Sequence, residues 1–255
     1  MALLSGKASL WGAFFVFWLL APTAHAEYCS QPDAGEAVSS KRVIDGDTLD
    51  LADGRRVRLI GINAPEMGRD GQPSEPYAQA ARRELQRLVS GSKLRMIIGA
   101  QPQDRYGRTL GHLFDARGAN IEARLLMRGL GFTVGLPPNT GLLECHLQHE
   151  QHARQRGLGV WQYSPVRRAA QVGPGFQLVR GRIERVSRSR EHVWLDMDGP
   201  LTLRLPRDMV GVDQLLRATG RELEVRGWVV DRGRARPGQK RYMLPQAEAR
   251  LMFLQ

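Results

Sequence analysis

The chain has 255 residues, a formal net charge of +11 and a pI near 10.5. Its 42% hydrophobic and 25% charged residues exclude a disordered polyelectrolyte, and its length allows one large domain or two small ones. So large a basic surplus favours polyanionic partners, nucleic acid first and anionic lipid or other acidic polymers second.

Residues 1–26 read as a targeting segment. Lys7 is their only charge, residues 10–20 are apolar, and Ala24-His25-Ala26 fits a small-x-small cleavage site, so Glu27 starts the mature chain. An uncleaved anchor is the alternative, but the apolar run is short for a bilayer. The expected location is exported, periplasmic or extracellular, with no stable membrane insertion once the leader is removed. Cys29 and Cys145 form no C-x-x-C pair, which argues against a structural zinc site. An oxidising compartment permits a disulfide between them, closing a long loop and contributing about 3–5 kcal/mol. Two separate buried thiols are the alternative.

From residue 37 to 44 the pattern predicts a strand entering the Asp45-Gly46 turn. Residues 49–51 and 56–62 continue the sheet around a second turn at Asp53-Gly54. The two-residue period sets Arg58, Ile60 and Ile62 on one face, with Arg58 as the charged end of an apolar row. Residues 63–74 form a loop rich in Gly, Pro and Asp. A helix opens at 74–76 and buries Tyr77, Ala80, Ala81, Leu85, Leu88 and Val89, leaving Arg82, Arg83 and Arg87 on a solvated face. Strands follow at 94–98 and 109–114, joined by a polar loop through Tyr106. Asn120 caps a second helix running to about Arg128. A third helix starts at Thr140 and ends at Gly157. His146, His149 and His152 recur there at three-residue spacing. That spacing drifts around a helix, so it points away from a metal site, and Glu150 reads as an anchor for the helix rather than a catalytic group.

Residues 164–175, with Pro165, Pro174 and paired glycines, read as a linker. Beyond it period-two runs at 178–186, 193–197, 201–205, 223–230 and 242–244 predict five strands, with a short helix at 212–219. That order suits a small β-barrel of the oligonucleotide-binding (OB) kind. From Gly175 onward sixteen basic residues face ten acidic ones, and Arg232, Arg234, Arg236, Lys240 and Arg241 gather around Pro237-Gly238 as a basic hairpin tip able to track a phosphate backbone.

The chemistry concentrates in three stretches. Asp45-Gly46-Asp47-Thr48 comes first. Arg58 follows in the run Val57-Arg58-Leu59-Ile60-Gly61-Ile62-Asn63-Ala64-Pro65-Glu66, and Asp104-Arg105-Tyr106-Gly107-Arg108 comes last. Two carboxylates, an amide and guanidinium groups suit an oxygen-liganded hard cation beside a bound anion. In order and spacing these stretches resemble the staphylococcal-nuclease-like (thermonuclease) family, over residues 38–161. The resemblance implies a mainly β fold with α: a five-stranded OB barrel with three helices, followed here by a second, OB-like barrel. The domains would be residues 27–163 and 176–255, with 164–175 between them.

The resemblance also implies residue roles. Asp47 and Asn63 bind calcium through side chains and Ala64 through its carbonyl. Glu66 is the general base or water positioner, and Arg58 and Arg108 clamp the phosphoryl oxygens as catalytic groups. Arg105 and Tyr106 contact substrate, Tyr106 by stacking on a base or bonding a phosphate; ordinary packing is its other reading. The family usually has an acid where this chain has Asn63; it often carries an aromatic or basic substrate-contact residue near 132–136, but no tyrosine stands there, so that contact is not carried over. The implied activity is calcium-dependent cutting of DNA and RNA without regard to the sugar, with single strands preferred and no obligate protein partner. A non-catalytic nucleic-acid-binding module, with Asn63 marking a decayed metal site, is the alternative. An adaptor for envelope polyanions is a third reading, resting on charge alone.

Overall fold

The computed structural model describes residues 28, 29, 31, 35–68, 70–234 and 238–255. The expected leader lies outside them, as do residues 235–237 of the basic hairpin tip. The first half contains β1 (Glu36–Val38), β2 (Ser40–Val43), β3 (Thr48–Leu51), β4 (Arg56–Leu59), β5 (Ile62–Asn63), α1 (Ala78–Val89), β6 (Leu94–Gln103), β7 (Thr109–Phe114), α2 (Ile121–Met127), β8 (Phe132–Thr133) and α3 (Leu143–Gln155). Its main sheet has the order β1-β6-β7-β4-β3-β2. Only Ser39 separates β1 from β2, so the sheet closes through one interrupted strand. Leu49, Leu51, Val57 and Leu59 alternate inward and are at most 1% exposed, each stabilising the fold by about 1.5–3 kcal/mol through burial. Ala78, Ala81, Leu85, Leu88 and Val89 of α1 are buried, at helical spacing, and Ala81, Leu85, Leu88 and Val89 pack against that core.

The second half contains β9 (Val166–Arg168), β10 (Gly175–Arg188), β11 (His192–Met197), β12 (Leu201–Pro206), α4 (Val212–Leu215), β13 (Glu222–Asp231), β14 (Tyr242–Pro245) and β15 (Met252–Leu254). Strands β10-β11-β12-β14-β13 form a closed ring, because β13 also pairs with β10. With β1 and β2 taken as one strand, both barrels run first-second-third-fifth-fourth. In each the third and fifth strands are parallel: β4 with β7, and β12 with β14. Both fit the OB-like β-with-α class expected from the sequence.

Several local expectations are corrected. The strand from 56 ends at Leu59, and Ile60 and Gly61 turn the chain, so Arg58, Ile60 and Ile62 form no continuous row. The first helix begins at Ala78, because Tyr77 adopts φ 70° and the preceding residues close the loop instead, Glu75 N donating to the Glu66 carbonyl at 3.0 Å. β6 runs on to Gln103. Residues 166–168 pair in parallel with β10, and Ala169 and Val172 enter the second core, so the stretch read as a linker is structured. The short helix of the second barrel is confined to Val212–Leu215, and β15 was not foreseen.

The two halves meet along α3. Arg154 donates to both oxygens of Glu224 (2.6 and 2.8 Å), and Arg226 does the same to Glu150 (2.7 and 2.5 Å). Beside these pairs Phe132 packs edge-on to Trp161 and against Phe176, which meets Trp228. The disulfide forms between Cys29 and Cys145. It ties the N-terminal segment to the first turn of α3.

Candidate active site

The three motifs fall on adjacent strands. Thr48 on β3 lies opposite Arg58 on β4, and Arg58 lies beside Leu110 on β7, two residues beyond Arg108. Inward alternation of Leu49, Val57 and Leu59 leaves Thr48, Asp50, Arg56 and Arg58 facing outward from the barrel.

Asp47 ends the turn before β3, and Gly46 makes its position possible. A β-carbon on Gly46 would come within 2.5 Å of Ala81 Cβ and 2.6 Å of Ala64 Cβ, so only glycine lets the turn press between α1 and the Ala64 loop. That approach delivers Asp47 Oδ2 to the Ala64 N–H at 2.8 Å. Thr48 Oγ1 donates to Asp47 Oδ1 (3.0 Å), and the Asp47 N–H donates to Asp45 Oδ1 (3.1 Å).

The Arg58 side chain leaves the outer face of β4 but folds back on its own turn. Its Nη1 donates to the Leu59 and Ile62 carbonyls, both at 2.7 Å, and its Nη2 meets Asn63 Oδ1 at 3.1 Å and Asp47 Oδ2 at 2.9 Å. The guanidinium thus wraps the 59–63 turn and draws the Asp47 and Asn63 oxygens to one point. Its side chain is 13% exposed and that of Asp47 is 5%. Burial pushes the Asp47 carboxyl up to about 7, Arg58 works against that shift, and neighbouring Asp45 adds to it. Asp45, itself buried, is a carboxylate of this site that the sequence reading treated only as a turn residue.

This constellation fits a hard divalent cation. Asp47 pairs with Arg58, and the buried Asp45 carboxylate lies beside Asp47, accepting its N–H. Burial is the main reason the Asp47 carboxyl is raised, with Asp45 adding to it, so a cation there would meet a carboxyl that water does not stabilise, and the donors are oxygens. Asn63 contributes an oxygen without charge.

The Asp104 turn builds the second guanidinium. Asp104 Oδ1 accepts from the Tyr106 and Arg108 N–H groups (2.9 and 3.0 Å), and its Oδ2 accepts from Arg108 Nε at 2.7 Å. Partial burial raises the Asp104 carboxyl, but these bonds outweigh it and hold the group below its ordinary value. Tyr106 is 68% exposed, with Arg105 4.8 Å and Arg108 5.5 Å from its ring centre, so it is no core residue. Glu66 lies exposed on the loop before α1, and its N–H donates to Glu75 Oε2 at 2.9 Å. Phe132 faces the interface with the second barrel.

The α3 histidines do other work. His146 Nε2 bonds Asn120 Oδ1 (2.9 Å), and His149 Nδ1 bonds the Cys145 carbonyl (2.8 Å). Cys29, Cys145 and His149 lie close enough for a metal, but both sulfurs are spent in the disulfide.

Fold and site together set the Asp47 and Asn63 oxygens against Arg58 on the outer face of an OB-like barrel. The family model described as Staphylococcal nuclease homologue matches residues 56–163. A thermonuclease of Staphylococcus intermedius is 33% identical over 131 residues, covering 50% of this chain and 77% of the relative. A thermonuclease of Staphylococcus hyicus is 32% identical over 123 residues (47% and 72%), and an uncharacterised endonuclease of Escherichia coli is 33% identical over 123 residues (47% and 73%). The chain belongs to the staphylococcal nuclease homologue family, and it is a hydrolase that acts as an endonuclease on nucleic acid. The family match ends at residue 163, ahead of the second barrel.

Proposed function

We propose that the protein is an exported, calcium-dependent endonuclease that cuts single-stranded DNA and RNA without regard to the sugar. The observation that carries this reading is the convergence of Asp47 and Asn63 oxygens on Arg58, one strand from Arg108. Asp47, Asn63 and the Ala64 carbonyl are the calcium ligands. Bound there, the ion supplies Lewis-acid polarisation of a phosphoryl oxygen.

The chain's own groups do the rest. Glu66 takes the proton of the attacking water. Arg58 and Arg108 hold the phosphoryl oxygens and stabilise the charge that grows in the transition state. Arg105 and Tyr106 hold the neighbouring nucleotide. Arg58, which here donates to Asp47 and Asn63, would turn part of that hydrogen bonding to the phosphate, and Asp47 and Asn63 would hold a bound cation. Residues 27–163 form the catalytic domain and 176–255 the second, OB-like domain. The Cys29–Cys145 bridge supports an oxidising location, in line with the apolar leader. Among the described residues no helix is long and apolar enough to cross a membrane.

The test is incubation of purified protein with denatured DNA, in calcium or in chelator. Calcium-dependent cutting that Glu66→Gln abolishes is the expected result. The competing reading, a non-catalytic binding module, draws on Asn63 in place of an acid, and retention of DNA without cleavage at any metal level would establish it instead.

A further inference from the structure

A cleft of about 410 Å³ opens beside the catalytic face, lined by Lys41, Asp50, Gly54, Arg56, Tyr106 and Arg108 among others. It contains none of the residues assigned above to the cation. Arg108 forms part of its wall, so the cleft adjoins the position of the scissile phosphate. We propose that this cleft is a second phosphate subsite, in which Lys41 and Arg56 hold the phosphodiester next to the one being cut, on a single strand of nucleic acid. The inference rests on the nuclease reading and extends it.

Register comes first. Arg56 and Arg58 lie two residues apart on β4 and share its outward face, opposite Asp50 and Thr48 respectively. Two residues of strand span about 7 Å, comparable to one nucleotide step of an extended chain. A strand whose reacting phosphate lies at Arg58 and Arg108 therefore carries its next phosphate over Arg56.

Charge is the second observation. Asp50 accepts from Arg56 Nε (2.7 Å) and from Arg42 Nη2 (3.0 Å), so one carboxylate serves two guanidinium groups. Lys41 is exposed and makes no ion pair among the described residues. Arg42 and Arg56 thus share Asp50, with Asp45 a weaker attraction on Arg56, and Lys41 adds a further cation. Both Asp50 pairs lie at the surface, with the Arg42 and Arg56 side chains 64% and 51% exposed, and pairs so hydrated yield readily to a phosphate. Arg55, between Arg56 and Gly54, is already committed to Asp53 and Glu36 and takes no part.

Shape is the third. The site is concave rather than a flat solvated strand face, and its volume suits about one nucleotide. At Gly54 nothing lies within 4 Å of where a β-carbon would stand, which leaves that wall open. The exposed ring of Tyr106 stands at the wall shared with Arg108, where a base between the two phosphates can stack.

The test compares Lys41→Gln, Arg56→Gln and the double variant with Lys93→Gln, a same-charge change at an exposed residue outside the cleft. Binding of a fluorescein-labelled hexadeoxynucleotide is measured in chelator across a salt series. Cleavage of the hexamer and of a dinucleotide is then measured in calcium. In the double variant hexamer binding should weaken at least tenfold at low salt. The slope of log Kd against log salt should fall by about 0.7 for each lost contact. The preference for hexamer over dinucleotide should collapse through KM. Binding indistinguishable from Lys93→Gln overturns the subsite. A wild type that binds through these residues yet never cuts sinks the nuclease reading and leaves the subsite standing.

Discussion

Arg226 of the second barrel donates to both carboxylate oxygens of Glu150 on α3, at 2.7 and 2.5 Å, and both side chains are at most 3% exposed. Neither group stops at the other. Glu150 Oε1 accepts the Thr133 N–H at 2.8 Å, and Arg226 Nη1 reaches the Thr133 carbonyl at 3.3 Å. Thr133 belongs to β8, which among the described residues pairs with β5 alone, through Ile62 and Asn63. A two-residue ladder is marginal on its own. The pair therefore clamps from outside the short strand that sets Asn63.

Removing one partner leaves the other charge buried and uncompensated, which costs about 3–5 kcal/mol. Arg226→Met and Glu150→Gln are each expected to lower the unfolding free energy by about that much. The double variant should cost clearly less than the sum, because no orphaned charge remains. Urea unfolding of the four proteins in the cycle measures this. Additive losses would mean that the two residues act separately.

The Cys29–Cys145 bridge closes a loop with a sequence separation of 116. Chain-entropy arguments give such a loop about 4–5 kcal/mol of stabilisation. Reduction, or Cys29→Ala with Cys145→Ala, should lower the unfolding free energy by several kcal/mol. The oxidised protein should fail to react with a thiol reagent unless reductant is added. Equal stability in both redox states would show that the N-terminal segment contributes little to the folded domain.

Much of this architecture was legible because short-range signals carried it. Asn120 caps α2 as its residue type predicts, with Oδ1 accepting the Ala123 N–H at 2.9 Å, and the five period-two runs after residue 175 become the ring of the second barrel. What failed to show were features decided by distant partners. Arg58 looks like a strand-end charge until the 59–63 turn folds back on it. Nothing local showed that Phe132 would pack against Trp161 and Phe176. Glu150 could be read as an anchor, but its partner lies 76 residues away in another barrel, where no local pattern points. Asp45 was visible in the Asp-Gly-Asp sequence, yet its closeness to Asp47 depends on how tightly Gly46 lets the turn pack.

His146 makes the fold sensitive to acid. It is fully buried, and its imidazole is held well below the ordinary value, first by burial and then by neighbouring His112 and His149. The Glu122 carboxylate is taken up by His112 and Asn120. Gly61 presses against the ring so closely that a β-carbon there would lie 2.2 Å from Nδ1. The sign follows from linkage. Above about pH 6.5 His146 is neutral in both folded and unfolded chains and has no effect. Below that the unfolded chain takes up a proton that the folded one refuses, so stability falls as pH falls. His146→Gln should be less stable near pH 8 but should show a shallower loss between pH 6.5 and 5. An unchanged slope would assign the acid sensitivity to other groups.

Asn63→Asp tests the cation site directly. The residue is half-buried, and its Oδ1 already points at Arg58 Nη2, 3.1 Å away, beside Asp47 Oδ2. A carboxylate of the same shape keeps that contact and adds one negative charge to a ligand set whose other assigned side chain is Asp47. A unit charge at ~4 Å contributes roughly 1–4 kcal/mol between water-like and protein-surface dielectrics. Calcium affinity, measured by titration calorimetry on protein without substrate, should therefore rise about tenfold or more, and the calcium concentration for half-maximal cutting should fall in parallel. Arg58 opposes part of the gain, because it pairs more strongly with the new carboxylate than with the amide. Asn63→Asp combined with Arg58→Lys, which breaks the fork-shaped contact but keeps the charge, should show a larger rise relative to Arg58→Lys alone. No change in affinity in either background would place the cation away from Asn63, and the roles of Asp47 and Ala64 would have to be reassigned with it.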